Sequence, residues 1–322
     1  MTRLTRRSVL QAGGAAVAAS FLPGRSLAED AFPTGDITVI VPYNAGGMSD
    51  NLSRIIGERL VAMTGKNVLN EYKPGAGGAL GANYYLGTKP DGHTILQSTN
   101  SFYSIIPIVT KVDYDPKTDF VPLCLLGIAP MVIAANPSTG AKSLAELIKA
   151  VKEDGKQISY GSSGKGTVGH LCGEWLAAKT GIEMLHVPYK GATEALQACL
   201  ADEVQIFFGP ESVESIRAGS LNGIGILGDA KSVAMPELQT TAEFGIEGWA
   251  PRSWHTVSIL ATVPEEIRQK WSEMLDTILA EPEVIEKIKL LGLYPDRLSL
   301  EEVRKMTEED YTEFSEMLRQ FG

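Results

Sequence analysis

The chain has 322 residues, 44 % hydrophobic and 21 % charged, which is enough apolar material for two globular lobes of ordinary size. Its 29 basic and 39 acidic residues give a formal charge of −10, which argues against nucleic acid and anionic lipid as partners. The 33 glycines cluster at a few turns, with no internal repeat, heptad run or low-complexity tract.

Residues 1–28, "MTRLTRRSVLQAGGAAVAASFLPGRSLA", have a basic start and an apolar, small-residue stretch from Ala12 to Leu22. They end in Ser26-Leu27-Ala28, a small-x-small cleavage site. The apolar stretch is too short to span a bilayer and reads as an export signal. Thr5-Arg6-Arg7-Ser8-Val9-Leu10 further resembles a twin-arginine signal, with an ordinary secretory signal as the plainer alternative. Cleavage would remove four arginines and no acids, taking the charge from −10 to −14. No later apolar run approaches the ~20 residues of a membrane span. The mature protein is therefore expected to be soluble and periplasmic.

The mature chain opens with Asp36-Ile-Thr-Val-Ile-Val41, a β-branched run that suits a buried strand. "PYNAGGMSD" follows, then an amphipathic helix over Leu52 to Met63. "VLNEYKPGAGGALGANYYLGTKPDGHTILQST" repeats the plan of strand, glycine-rich turn, helix and strand, which indicates a parallel-rich α/β sheet. After the apolar stretch Val121–Ala135, Ser143 is placed to cap a helix over Leu144–Lys152. A second α/β series runs to "GIGILGD", a strand-like segment (Gly223–Asp229) leading back to the first half. From Pro264 the chain is helical, and Ser299 with Glu302 fits a capping box. These runs place lobe I at 29–125 plus 229–322 and lobe II at 126–228, with the chain crossing twice between them.

"YGSSGKGTVGHL" contains Gly164-x-Gly166-x-x-Gly169, the spacing of a dinucleotide-binding turn. Such a fold also needs an acid at the tip of the next strand, to grip a ribose hydroxyl. Here that strand (Ile182–Val187) ends in "HVPYKG", with no acid at its tip. A Walker loop fails too, because Gly166 stands where Ser or Thr must follow the Lys. What survives is a strand end and a helix start, whose free N–H groups suit a carboxylate or phosphate. "VPYNAGGMSDNL" is the same device in the other lobe. Two such loops facing each other suit a ligand with two acidic ends. Asp50 reads mainly as a cap or loop brace, and Thr167 as an N-cap.

Cys124, Cys172 and Cys199 lie in apolar surroundings and read as small core residues, a Cys172–Cys199 bridge being the lesser alternative. His93, His170, His186 and His255 are scattered, and neither they nor the cysteines show metal-ligand spacing. There is no G-x-S-x-G elbow. No metal or cofactor is therefore expected, and no catalysis. The rival reading is an oxidoreductase, exported by the twin-arginine route, that holds its cofactor on the Gly164-x-Gly166-x-x-Gly169 loop.

"ITVIVPYNAGGMSDNLSRIIGERL", "NEYKPGAGGALGANYYLGTKPDGHTIL", "ISYGSSGKGTVGHLCGEWLAAKTGIEMLHVPYKGATEALQACLADEVQIFF" and "MPELQTTAEFGIEGW" together resemble the Bug-type receptors of tripartite tricarboxylate transporters. The resemblance covers nearly all of the mature chain. It implies a type II periplasmic binding protein fold, with two α/β lobes joined by a two-crossing hinge and the ligand in the cleft. It also implies a monomeric receptor that holds a small di- or tricarboxylate or aromatic acid and delivers it to a membrane permease. A receptor signalling to a sensor kinase would look the same in sequence.

The positions it implies as ligand-binding are Tyr43, Asn44, Ala45, Gly46, Gly47, Ser49 and Asp50, then Ser98, Thr99 and Asn100. In the second lobe they are Ser162, Ser163, Gly164, Gly166, Thr167 and His170, with Tyr189 and Gly191 nearby. Asn44-Ala45 departs from the prolines common before the Gly-Gly pair, so Asn44 offers an extra side-chain hydrogen bond. "TNSFYSIIP" departs as well and is expected to put Phe102 and Tyr103 near the cleft. Arg252, Trp254 and His255 fall in a segment that often borders it.

Overall fold

The computed structural model describes residues 32–155, 157–295 and 298–321. The export-signal reading of residues 1–28 lies outside the described residues. The body from Gly35 onward begins with strand β1 (Ile37–Val41), whose Ile37, Ile40 and Val41 are fully buried. Helix α1 (Met48–Thr64) starts four residues before the expected Leu52, because Gly47 takes the extended conformation of an N-cap. Leu52, Ile56 and Leu60 give it a buried face, and Gly65, in the left-handed region at φ 69°, ends it. Strand β2 (Val68–Tyr72), helix α2 (Ala79–Leu86) and strand β3 (Thr94–Thr99) complete a parallel β2-β1-β3 unit.

A π-helical turn (Ser101–Ile105) and short helix α3 (Ile106–Val109) lead to β4 (Phe120–Pro130). One residue later, β5 (Val132–Ala135) belongs to a different sheet. Helix α4 (Leu144–Asp154) begins where Ser143 accepts the Glu146 amide at 3.2 Å. Strand β6 (Ile158–Ser162), helix α5 (Val168–Thr180), strand β7 (Met184–Pro188), helix α6 (Ala192–Leu200) and strand β8 (Ile206–Phe208) follow. Helix α7 (Val213–Arg217) and β9 (Asn222–Ile226) close this sheet, in the order β7-β6-β8-β5-β9.

Strand β10 (Arg252–Leu260) then returns to the first sheet and inserts between β3 and β4, antiparallel to both. The sequence reading passed over it because Ser253, His255, Thr256 and Ser258 break the apolar run. His255, Thr256 and Ser258 are buried, and the two hydroxyls are bonded: Ser258 Oγ lies 2.6 Å from the Tyr103 hydroxyl, and Thr256 Oγ1 donates to the Cys124 carbonyl. The two crossings between sheets run side by side, joined by Leu227 N–H to Met131 O at 2.9 Å and Met131 N–H to Pro251 O at 3.3 Å.

Helices α8 (Glu265–Leu279) and α9 (Pro282–Leu290) cover the first sheet, and Trp271 Nε1 donates to Gly92 O at 2.8 Å. The C-terminal helix α10 (Leu300–Phe321) starts at the Ser299–Glu302 capping box, with Glu302 N–H on Ser299 Oγ at 3.3 Å. It ties the two halves together. Asp310 accepts Trp254 Nε1 of β10 at 2.7 Å, while Phe314 and Met317 pack into the second sheet's core with Trp175 and Trp249. All three cysteines are free and buried.

Candidate functional site

Three helix starts meet between the sheets: α1 at Gly47–Ser49, α5 at Thr167–Gly169 and α6 at Gly191–Thr193. None of the N-cap residues, Gly47, Thr167 and Gly191, caps its helix with a side chain, and of the first amides in α5 Val168 N–H is taken from across the seam by Ser101 Oγ. The first N–H groups of a helix have no intrahelical partner and carry its positive dipole end. Here they border one cavity of about 70 Å³, several times what a single water needs. Met48, Met131, Val168, Phe207 and Phe208 supply apolar walls; Thr99, Asn100, Ser101 and Ser253 supply polar ones. Among the described residues no lysine or arginine lines it.

Of the residues singled out from sequence, Tyr43, Asn44, Gly47, Ser49, Thr99, Asn100, Ser163, Thr167 and Gly191 line this cavity. Ala45, Gly46, Asp50, Ser98, Ser162, Gly164, Gly166, His170 and Tyr189 do not. Most of these act one layer back, holding the loops in shape. Asp50, 1 % exposed, accepts Gly46 N–H at 2.7 Å, Tyr72 OH at 2.8 Å and Asn70 Nδ2 at 3.1 Å, and pairs with Arg54 at 2.9 Å. Burial pushes its pKa up, but these four donors outweigh that and hold it below the usual carboxylate range. Ser98 is spent inside the sheet on Ser258. Tyr43 spans the rim, its hydroxyl on Gly77 O at 3.0 Å and Thr99 Oγ1 at 3.1 Å, and burial raises its pKa to about 12.

The glycine loop after β6 is braced from below. Ser162 Oγ accepts Gly164 N–H at 3.1 Å and sits 2.6 Å from His186 Nε2. His186 in turn packs against His170, ring centroids 4.2 Å apart, and His170 Nδ1 accepts Gly166 N–H at 3.3 Å. Burial lowers the pKa of both histidines, that of His186 to about 4 with help from the neighbouring His170 and Lys165 charges. Both rings are therefore neutral at neutral pH. Thr167 is the N-cap residue, but its hydroxyl donates to Gly164 O at 2.8 Å instead of capping the helix.

The loop glycines serve lobe-to-lobe contact. Gly164 (φ 127°) lies where a Cβ would come within 3.4 Å of Gly77 Cα. A Cβ on Gly166 (φ 78°) would meet Val109 Cγ2 at 2.5 Å. Across the same seam Val168 N–H donates to Ser101 Oγ at 3.2 Å and Thr193 Oγ1 to Gly46 O at 3.4 Å, while Asn44 Nδ2 donates to Glu194 Oε1. The cleft is shut.

One sequence expectation is corrected. Phe102 and Tyr103 do not reach the cavity; they are buried in an aromatic cluster with Tyr114, Phe120 and Trp254. Arg252 is half exposed and faces Asp310 at 3.6 Å. Sequence reasoning missed the α6 start as a third converging end, although "GATEAL" repeats the glycine-then-helix signal. It also missed Phe207, Phe208 and Glu211; of the segment read as bordering the cleft, Arg252, Trp254 and His255, only His255 lines the cavity.

Comparison with known proteins agrees with this architecture. A family model described as the tripartite tricarboxylate transporter family receptor (TctC) matches residues 52–322. A UPF0065 protein of Agrobacterium vitis is 30 % identical over 86 % of this chain and 81 % of its own length. The periplasmic binding protein BugD superposes with a TM-score of 0.84 at 27 % identity, over 90 % of this chain and 99 % of its own. Rpa4515 of R. palustris, solved with adipate, also gives 0.84 at 27 %, over 90 % and 98 %. The oxidoreductase alternative finds no support among these relatives. A two-lobed α/β body with converging helix ends, matched over most of its length by this receptor model, places the chain in the TctC family of tripartite tricarboxylate transporter receptors.

Proposed function

We propose that the protein is a periplasmic receptor that captures a small organic acid between its two lobes and delivers it to the membrane subunits of a tripartite tricarboxylate-type transporter. One lobe is built on the sheet of β1–β4 and β10 and the other on that of β5–β9 with Phe244 and Trp249, which moves the boundaries from the expected 125/126 and 228/229 to Met131 and Pro251; the paired crossings at Met131 and Leu227–Pro251 serve as the hinge. The observation that carries the reading is the convergence of three helix starts, none capped by its own N-cap side chain, on a cavity that among the described residues no lysine or arginine lines. Such a site holds an anion by main-chain amides and helix dipoles, as helix ends do for carboxylates generally. Charge-assisted bonds of this kind contribute about 1.5–3 kcal/mol each. Three or four reach micromolar affinity after the cost of ordering ligand and lobes. The apolar walls suit a chain or ring between polar ends, in keeping with the adipate held by Rpa4515.

Among the described residues no helix is long and apolar enough to cross a membrane. The receptor acts as a monomer and performs no chemistry on its cargo. Isothermal titration calorimetry of the mature protein with mono-, di- and tricarboxylates tests the reading. One acid class should bind at micromolar affinity or better with a negative heat-capacity change; no heat from any acid would contradict it.

A further inference from the structure

Among the described residues the cavity is lined by one carboxyl group, that of Glu211, in the 3-10 turn Pro210–Ser212 that follows β8. Its Oε2 lies over Gly209, beside the Phe207 ring, where any Cβ on Gly209 would collide with both. Among the described residues the elements around it bring no free cation, since Lys287 and Lys289 of α9 pair with Glu283 and Glu286. From β10 comes His255, held neutral by burial, and from the loop after β1 comes Tyr43. Helix α7 brings Glu214 and Arg217, which pair with each other at 2.7 Å. Helix α6 brings Glu194, whose carboxylate is taken by Asn44 and by Lys190 N–H at 3.1 Å. Among the described residues no lysine or arginine lines the hollow on the far side of Glu211, bordered by Asn51, Thr193 and Leu290.

An acid in an anion-binding cleft opposes a second carboxylate and attracts a cation. We propose that Glu211 determines specificity, and that the ligand is an amino-carboxylate whose ammonium faces Glu211 while its carboxylate takes the helix-start amides. This rests on the carboxylate-receptor reading above. Burial raises Glu211 to about 7, which agrees with a carboxyl awaiting its counter-charge. A bound ammonium lowers that pKa, so the complex forms with release of a fraction of a proton at pH 7. A second carboxylate at the same place raises it, and binding then takes a proton up.

The test is calorimetry at pH 7 in two buffers of different ionisation enthalpy. The ligands are matched pairs: glutarate and glutamate, adipate and 2-aminoadipate, benzoate and 4-(aminomethyl)benzoate. At least one amino member should bind about tenfold or more tighter than its partner, with net proton release. Glu211→Gln should shrink that preference to about threefold and abolish the release, with its melting curve confirming the fold. If the plain acids bind equally or better and take up protons, the Glu211 assignment falls while the carboxylate reading stands. If no member of any pair binds, both fall.

Discussion

The Asp50 carboxylate holds the Gly46 amide at 2.7 Å, one turn into α1, and so fixes the shape of the loop that brings Gly47 and Ser49 to the cavity. Asp50→Ala removes that acceptor and leaves Tyr72 and Asn70 without theirs. Stability at pH 7 should fall by about 2–4 kcal/mol, and affinity for the bound acid by about tenfold. Since the folded pKa is depressed, the Asp50 contribution is present above the ordinary carboxylate range and lost as pH falls through the folded value. Urea melts from pH 7 to 3 should therefore converge for wild type and variant at the acid end.

Gly166 is the point where the second loop lies closest to α3. Gly166→Val puts a side chain against Val109 and into a backbone conformation favoured only by glycine. The lobes should still fold but fail to shut. Affinity should drop by more than about tenfold, and small-angle scattering should show no compaction when ligand is added.

The histidine pair under this loop predicts an acid sensitivity. His186, with a folded pKa of about 4 against an ordinary 6.5, is neutral when folded and protonates more readily when unfolded. Its stabilising contribution is complete above pH 6.5 and disappears as pH falls toward 4. The melting temperature should decline across that window, and His186→Gln should flatten the decline. Buried His255, also at about 4, adds a second proton to the same slope.

Asn44 and Glu194 join the lobes directly, through a contact that opening of the cleft would break. Asn44→Ala should raise the ligand dissociation rate about three- to tenfold and leave association nearly unchanged, since contact loss at a formed interface acts mainly on release. Stopped-flow tryptophan fluorescence reads both rates.

The strand–glycine–helix plan was legible because each unit combines a β-branched run, a turn glycine and a helical apolar face. The same signals marked Gly47 and Thr167, and the family resemblance added Gly191; all three line the cavity. What was not legible came from elements distant in sequence. Strand β10 reads as polar because its hydroxyls are satisfied only inside the finished sheet. Glu211 and Phe207 look like ordinary strand-end residues until β8 is laid beside β5 and β6. Gly164 fits a dinucleotide turn by spacing, and only the opposite lobe reveals that it makes room for Gly77.

The most direct test is a crystal structure of the mature protein bound to the tightest-binding acid from the calorimetric panel. Ligand carboxylate oxygens should lie within hydrogen-bond distance of main-chain amides at the starts of α1 and of α5 or α6, with no lysine or arginine among their partners. A carboxylate bound by a cationic side chain, or lodged outside this cavity, would contradict the account.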